Sequence, residues 1–397
     1  MKGVLAGVRV LDFGRHISGP IAALMLADFG AEVIRIERPG GEEDRFMGLP
    51  SQGKDSYSFM NFARNKKAIT LDFMTSDKGL EILKRLIARS DVMIHNYSPL
   101  AVQKLGLDYP AVSRLNPRII YVEITGFGSD GPYAHRLGFD QIAQAMSGAM
   151  SMTGQPDMPP QRSEVRYCDF GTGFFGAYGV ALALLARQQT GRGQKIEANL
   201  LRTGVFMNAT PVTEYRAARK VRGRLGNRSW YAGTSDLFKT KDQKWVYIST
   251  VTRGLFERTC RLLEREDLLA RPQIKTDYDR FLFRQELDGV LAQWIAARDS
   301  AEVAGKFEQA RLPYGFVYDA TQVDVDPGVI HEKMLEKKET LAGEEVVLAG
   351  VPFHLQGTPG AVKLGPPAVG QHNQEVYQDI LGLSGEEIAS LQGEKVI

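Results

Sequence analysis

The sequence predicts an α/β protein, with a doubly wound, mostly parallel sheet in a large domain and a smaller α+β domain. Three observations predict it. Between residues 8 and 125, short β-branched apolar runs alternate with segments of helical period, the signature of repeated strand-helix-strand units. From residue 235 the pattern changes to a hairpin followed by charged amphipathic helices. The length, 397 residues, exceeds what one core usually organises, so two domains are expected, one able to interrupt the other.

In order, strands are expected at 8–13, 31–37, 68–73, 91–95 and 118–125, with helices at 20–29 and 78–90. Parallel open sheets bind ligands at the carboxyl ends of their strands, so the loops after Phe13, Glu37, Phe73, His95 and Thr125 form the expected rim. The uncharged run 170–186 holds four glycines and is expected as a buried core helix, not a membrane span. A strand at 194–200 follows, and the basic run 216–228 reads as a surface connection. The hairpin pairs 236–239 with 245–250 about Thr240-Lys241-Asp242-Gln243, and helices fill 255–309. Beyond a weakly patterned charged stretch at 329–345, strands are expected at 344–348 and 353–355, then two helices within 373–391. The expected domains are 1–221, 222–328, and a tail, 329–397, returning to the first.

Charged residues make up 24% and hydrophobic ones 43%, an ordinary globular balance. A net charge of +2 argues against a nucleic-acid binder, so an anionic ligand must be held by local cations. Two cysteines, Cys168 and Cys260, make no disulfide framework, and no leader-like segment opens the chain; a cytoplasmic location is expected. The six histidines lack metal-ligand spacing, and each reads as a surface or satisfied residue, so no metal is expected. Phosphate-loop, zinc-protease and serine-hydrolase motifs are absent.

The stretch 167–176 carries two incompatible readings. Gly171-x-Gly173-x-x-Gly176 with Glu197 downstream copies a dinucleotide fingerprint, but a central strand before it should be apolar, and Glu164, Arg166 and Asp169 are not. An anionic Asp169 would also repel a pyrophosphate, and close helix packing explains the small residues. Alternatively Asp169 is a nucleophile at a helix start, where the helix terminus keeps its carboxylate ionised. Taken alone, it reads more readily as a cap on the amide of Gly171 or Thr172. Cys168 has no adjacent His or Lys to activate it.

A resemblance covering nearly the whole chain bears on that choice. The opening Leu5-Ala6-Gly7-Val8-Arg9-Val10-Leu11-Asp12, Ser18-Gly19-Pro20 and Leu26 to Glu37 resemble the start of the family III CoA-transferases, the carnitine and formyl-CoA transferase group. In order come Asn65-Lys66-Lys67 with Leu71-Asp72, His95-Asn96-Tyr97, Gly126-Phe127-Gly128 with Gly131-Pro132, Ser147-Gly148, Asp169 with Thr172-Gly173, Thr190 to Gln194, and Pro366-Pro367 with Gly370-Gln371-His372.

The resemblance implies a Rossmann-like large domain built from both ends of the chain, and an interlocked, ring-like homodimer. It also implies an acyl-CoA donor, a carboxylic acid acceptor, coenzyme A as substrate, and no metal, nucleic acid or membrane. Asp169 aligns with the catalytic aspartate, which forms acyl anhydride and aspartyl-CoA thioester intermediates. Arg38 matches a phosphate-contacting arginine; Ile17, Ser18, Leu71, Asp72, Phe73, Met74, Thr75, Asn96, Tyr97 and Lys104 match CoA-lining positions. Arg136, Phe139 and Asp140 border the expected pantetheine channel, and Arg15, His16, Arg228 and Tyr231 are candidate partners for an acceptor carboxylate. The related 2-methylacyl-CoA racemases use His in Gly-His-Asp, where this chain has Gly138-Phe139-Asp140; phenylalanine carries no proton, so transfer is favoured over racemisation. An NAD(P)-dependent oxidoreductase is the remaining alternative. The glycine-rich loop of formyl-CoA and oxalate-type transferases is absent at Ser249 to Gly254, and Tyr231-Ala232-Gly233 resembles the carnitine-type branch.

Overall fold

The computed structural model describes residues 3–231 and 233–397. Six parallel strands form its main sheet: β1 (Arg9–Phe13), β2 (Glu32–Glu37), β3 (Lys66–Thr70), β4 (Val92–His95), β5 (Ile120–Thr125) and β6 (Lys195–Asn199). Their order is β3-β2-β1-β4-β5-β6, so the chain winds outward from β1 in one direction and from β4 in the other. Register is regular, with Leu11 between Ile34 and Met93. Alternate residues face opposite layers, as a pleated strand requires. Leu11, Phe13, Ile34, Ile36 and Ile69 pack with the Asp77–Ile87 helix and with Val376, Tyr377, Leu381 and Ile388 from the C-terminal helices. Val10, Val33, Val92, Ile94 and Val122 pack with the Ser18–Asp28 and Tyr167–Thr190 helices.

Some elements depart from expectation. β3 ends at Thr70 instead of residue 73, because Asp72 turns the chain by accepting hydrogen bonds from the amides of Met74 and Thr75 at 3.2 and 2.9 Å. The charged stretch contains a strand, β10 (Leu335–Glu339), paired antiparallel with β11 (Glu345–Ala349). This hairpin buries only Val346 and Leu348, against Met60. No strand forms at 353–355; Phe353 instead stacks on Phe29 with ring centroids 4.6 Å apart. The glycine-rich helix begins at Tyr167, before the first glycine. It is long and apolar enough to cross a membrane by composition, yet one face packs on the sheet while Phe174, Tyr178, Leu182 and Leu185 remain exposed. It is therefore only partly the buried core helix expected.

The chain divides into two compact units, one of Met1–Gly148, Ser163–Thr210 and Pro327–Ile397, the other of Ala149–Arg162 and Pro211–Asp326. The second holds an antiparallel sheet of β7 (Asp236–Lys239), β8 (Trp245–Ile248) and β9 (Tyr314–Phe316), whose Phe238, Val246 and Ile248 bury against Leu291, Ile295, Val303 and Phe307.

Candidate active site

The carboxyl ends of all six strands lie on one edge of the sheet, and the winding reverses between β1 and β4. The loop after β1 is fixed there by side chains. The Asn96 amide, just after β4, accepts from the Arg15 N–H at 2.8 Å and donates to the Arg15 carbonyl at 2.9 Å. His16 takes a left-handed φ of 63°, held by its N–H donating to Asp44 at 3.0 Å. Its half-buried ring sits 6.0 Å from that of Phe139. The Arg15 guanidinium donates to Glu42 and the Tyr97 hydroxyl, both at 2.8 Å, and to the carbonyls of Gly14 and Ile36. Arg15 is thus a brace between loops with its charge already paired, not the open cation expected for an acceptor carboxylate.

Beneath the edge, on the layer of the Ser18–Asp28 helix, charge replaces hydrocarbon. Arg35 bridges Glu37 and Asp44 at 3.0 and 2.7 Å, Arg45 bridges Glu37 and Asp55 at 2.6 and 2.8 Å, and Lys66 meets Asp12 at 2.7 Å. Burial alone would push the Glu37 carboxyl up, but the Arg35 and Arg45 guanidinium groups together hold it below the usual carboxylate range.

Asp169 occupies the third position of the Tyr167–Thr190 helix and caps neither Gly171 nor Thr172. That task falls to Asp140, the first residue of the Asp140–Met146 helix, whose Oδ2 accepts from the amides of Cys168 and Asp169 at 2.9 and 3.1 Å. Its Oδ1 accepts from Gln144 at 2.5 Å, one helical turn on. Asp140, expected along the pantetheine channel, is 1% exposed and acts on the backbone that carries Asp169. Gln144 was not singled out in the sequence; its only signal is the i, i+4 spacing.

The Asp169 carboxyl is half-buried. Burial, then repulsion from Asp140, pushes its pKa up to about 6 against the lowering effects of Ser18 and Arg166. A pKa of about 6 still leaves the carboxylate ionised near neutral pH, as the sequence suggests, but burial and Asp140 dominate its environment in place of the helix terminus. The glycines serve contact. A Cβ at Gly173 would lie 2.8 Å from the Ser18 carbonyl oxygen, and one at Gly171 2.8 Å from the Thr203 methyl. They lie within the helix, and no strand precedes it, so a pyrophosphate turn of the dinucleotide type is not formed. Cys168 is buried, with its thiol pushed up to about 12 by burial, so it is no competing nucleophile.

The remaining expected residues divide by environment. Ile17, Leu71 and Phe73 are buried in apolar clusters. The Phe73 and Tyr97 rings meet edge to face. Arg38, after β2, is largely exposed and donates to the Gly41 carbonyl at 3.1 Å, while Met74, Thr75, Lys104 and Arg136 are exposed near the same edge, Arg136 stacked on Phe127 and Tyr133. Asp72 is tied into its own turn. Arg228 and Tyr231 belong to the second unit, where Arg228 pairs with Asp236 at 3.0 Å and the Tyr231 hydroxyl accepts from Arg222 at 2.8 Å. Ala232 of Tyr231-Ala232-Gly233 lies outside the described residues. His95, expected at the surface or satisfied, is instead buried between Tyr97 and Tyr121 without a hydrogen-bond partner among the described residues, and burial followed by Lys195 pushes it down to about 3. Among the described residues no group of three or more His, Cys, Asp and Glu side chains could hold a metal ion.

Comparison with known proteins bears on this arrangement directly. The model of CoA-transferase family III matches residues 5–373. The succinyl-CoA–L-malate CoA-transferase beta subunit of Chloroflexus aurantiacus is 34% identical over 99% of this chain and 98% of its own. The mouse (Mus musculus) succinyl-CoA:glutarate CoA-transferase is 34% identical over 95% of this chain and 86% of its own. Among solved structures, a CAIB/BAIF family protein from Brucella suis superposes with a TM-score of 0.83 at 28% identity, over 96% of this chain and all of that one. Matched over nearly its whole length in sequence and in fold, the chain belongs to CoA-transferase family III and is a CoA-transferase, acting on an acyl-CoA thioester and an acceptor carboxylate.

Proposed function

We propose that this enzyme moves CoA from succinyl-CoA to a small carboxylic acid, with the Asp169 carboxylate as nucleophile. The observation that carries the mechanism is a half-buried carboxylate at the binding edge, held beside a second carboxylate and raised to about 6 by burial and by Asp140. A carboxylate so placed is ionised at neutral pH yet weakly stabilised, which suits attack on a thioester. Attack breaks the carbon–sulfur bond and releases CoA thiolate, leaving an aspartyl acyl anhydride. The thiolate then attacks the aspartyl carbonyl, expelling the donor acid and leaving an aspartyl-CoA thioester. The acceptor carboxylate attacks that thioester, re-forming an anhydride and thiolate, and the thiolate takes the acceptor acyl group, freeing Asp169. Electrons and atoms balance without metal or redox partner.

The succinyl donor is supported by relatives whose names specify succinyl-CoA. Arg38, Lys104 and Arg136, exposed at the edge, supply cations for the CoA phosphates, and Met74 and Thr75 the adjoining surface. A homodimer is supported by the apolar stripe Phe174, Tyr178, Leu182 and Leu185, continued by Phe175 packed 5.4 Å from Phe206. Such a face is rarely left to water, and a second copy would cover it. Mass spectrometry of succinyl-CoA mixed with malate, citramalate, glutarate or oxalate tests the assignment: a new acyl-CoA from one of these acids supports it, and no exchange with any acid, from a folded protein, counts against the succinyl donor.

A further inference from the structure

We propose that the segment 366–373, clasped by His372 to the free edge of the main sheet, braces the loop that carries Arg38, so that His372 and Val369 are positioning residues for binding the acyl-CoA phosphates. The inference rests on Arg38 being a phosphate contact, as proposed above. β3 is an edge strand, so Ala68 and Thr70 turn backbone groups to a side where no further strand meets them. The tail supplies the partners. The His372 N–H donates to the Ala68 carbonyl at 2.9 Å, and the Ala68 N–H donates back to His372 Nδ1 at 3.1 Å. One residue on, Asn373 Oδ1 accepts from the Thr70 N–H at 2.9 Å, and its Nδ2 donates to the Thr70 hydroxyl at 2.8 Å. Nδ1 can accept only when it carries no proton, and burial, the largest influence on His372, lowers its pKa and favours that form.

Gly370, at a left-handed φ of 63°, turns the chain between this clasp and the loop after β2. There Val369 closes on Gly41: a Cβ at Gly41 would stand 2.9 Å from a Val369 methyl carbon. Gly41, itself at a φ of 89°, accepts from the Arg38 guanidinium at 3.1 Å and donates its N–H to the Arg38 carbonyl at 2.9 Å. Two residues before Val369, the Pro367 carbonyl accepts from the buried Arg45 at 3.0 Å, so the segment is tied down on both sides of its contact with the loop. Arg38 is otherwise free, its side chain 62% exposed. A long exposed side chain must be ordered when it grips a phosphate, and a loop already held in place lowers that cost. Asp169 lies on the Tyr167–Thr190 helix, which takes no part in these bonds, so the brace should act on donor binding and leave the chemical step alone.

The test is steady-state CoA exchange by the whole enzyme and by R38M, H372A, H372N, H372Q and V369A, with KM for donor and acceptor measured separately and melting temperatures alongside. R38M should raise KM for the acyl-CoA donor ~10-fold. H372A should raise it about fivefold and V369A about threefold, with kcat and KM for the acceptor acid within about twofold of the native enzyme. H372N places an amide oxygen where Nδ1 stands and should restore the native KM, whereas H372Q reaches the place of Nε2 and should not. If H372A and V369A fold and leave donor KM unchanged while R38M raises it, the brace is overturned and the role of Arg38 stands. A fall in kcat with both KM values shifted together, the mark of general loosening, would overturn it as well. If R38M leaves donor KM unchanged, the phosphate reading of Arg38 is what fails. Should H372A not fold, V369A and the contrast between H372N and H372Q decide the matter.

Discussion

Glu37 and Asp169 are two carboxylates at the same edge of one sheet, and the protein treats them in opposite ways. Glu37 is fully buried but enclosed by Arg35 and Arg45, whose guanidinium groups overcome the cost of burial and hold it ionised. Asp169 is less buried, yet its nearest charged influence is another carboxylate, Asp140, and its proton is held up to about 6. Paired charge builds the platform; the carboxylate left beside another carboxylate is the one to which the proposed mechanism assigns the chemistry. The difference is not in the residues' own character but in what the chain folds around them.

Breaking each side of the comparison gives different failures. The largest effect is expected from D169N, which removes the proposed nucleophile: CoA exchange should fall at least ~1,000-fold, more than about 4 kcal/mol, with the circular dichroism spectrum unchanged. On the platform, R45M leaves Glu37 and Asp55 short of a buried cation, and chemical denaturation should register a loss of about 3–5 kcal/mol. The same D169N variant sharpens the contrast, because the folded pKa of Asp169 lies above its ordinary value. Its stabilising contribution is therefore complete at low pH and is lost as pH rises through about 6. D169N should exceed the native enzyme in stability at pH 8 by about 3 kcal/mol, and the two should converge below about pH 4. Smallest of all, C168S beside the nucleophile should leave exchange within about twofold, since its thiol is protonated and takes no part.

Much of the platform was legible in the sequence. β1, β2, β4 and β5 announce themselves as β-branched runs because both faces of their sheet are buried, and the rim loops follow from the parallel order alone. β10 was missed because Leu335–Glu339 reads LEKKE, a strand with almost no buried face, while the expected strand at 353–355 had aromatic character that the fold uses for stacking. At the site, the place of Asp169 before an apolar, glycine-rich helix left a cap and a nucleophile both open, and the family resemblance chose between them. The surroundings of Asp169 were not legible. Asp140 is separated from the amides it holds by 28 and 29 residues, so this contact leaves no local pattern. Local reading gave Asp169 the helix terminus as its main influence, whereas tertiary burial and a distant carboxylate dominate.

The central claim is that Asp169 becomes covalently acylated during turnover. Incubating the enzyme with an acyl-CoA donor that turns over, quenching with hydroxylamine, and sequencing peptides by mass spectrometry tests it most directly. A hydroxamate on Asp169, dependent on the donor and missing when the donor is omitted, is the predicted result. Unmodified Asp169 in an enzyme exchanging CoA at its full rate, or a hydroxamate on some other carboxylate, would contradict it.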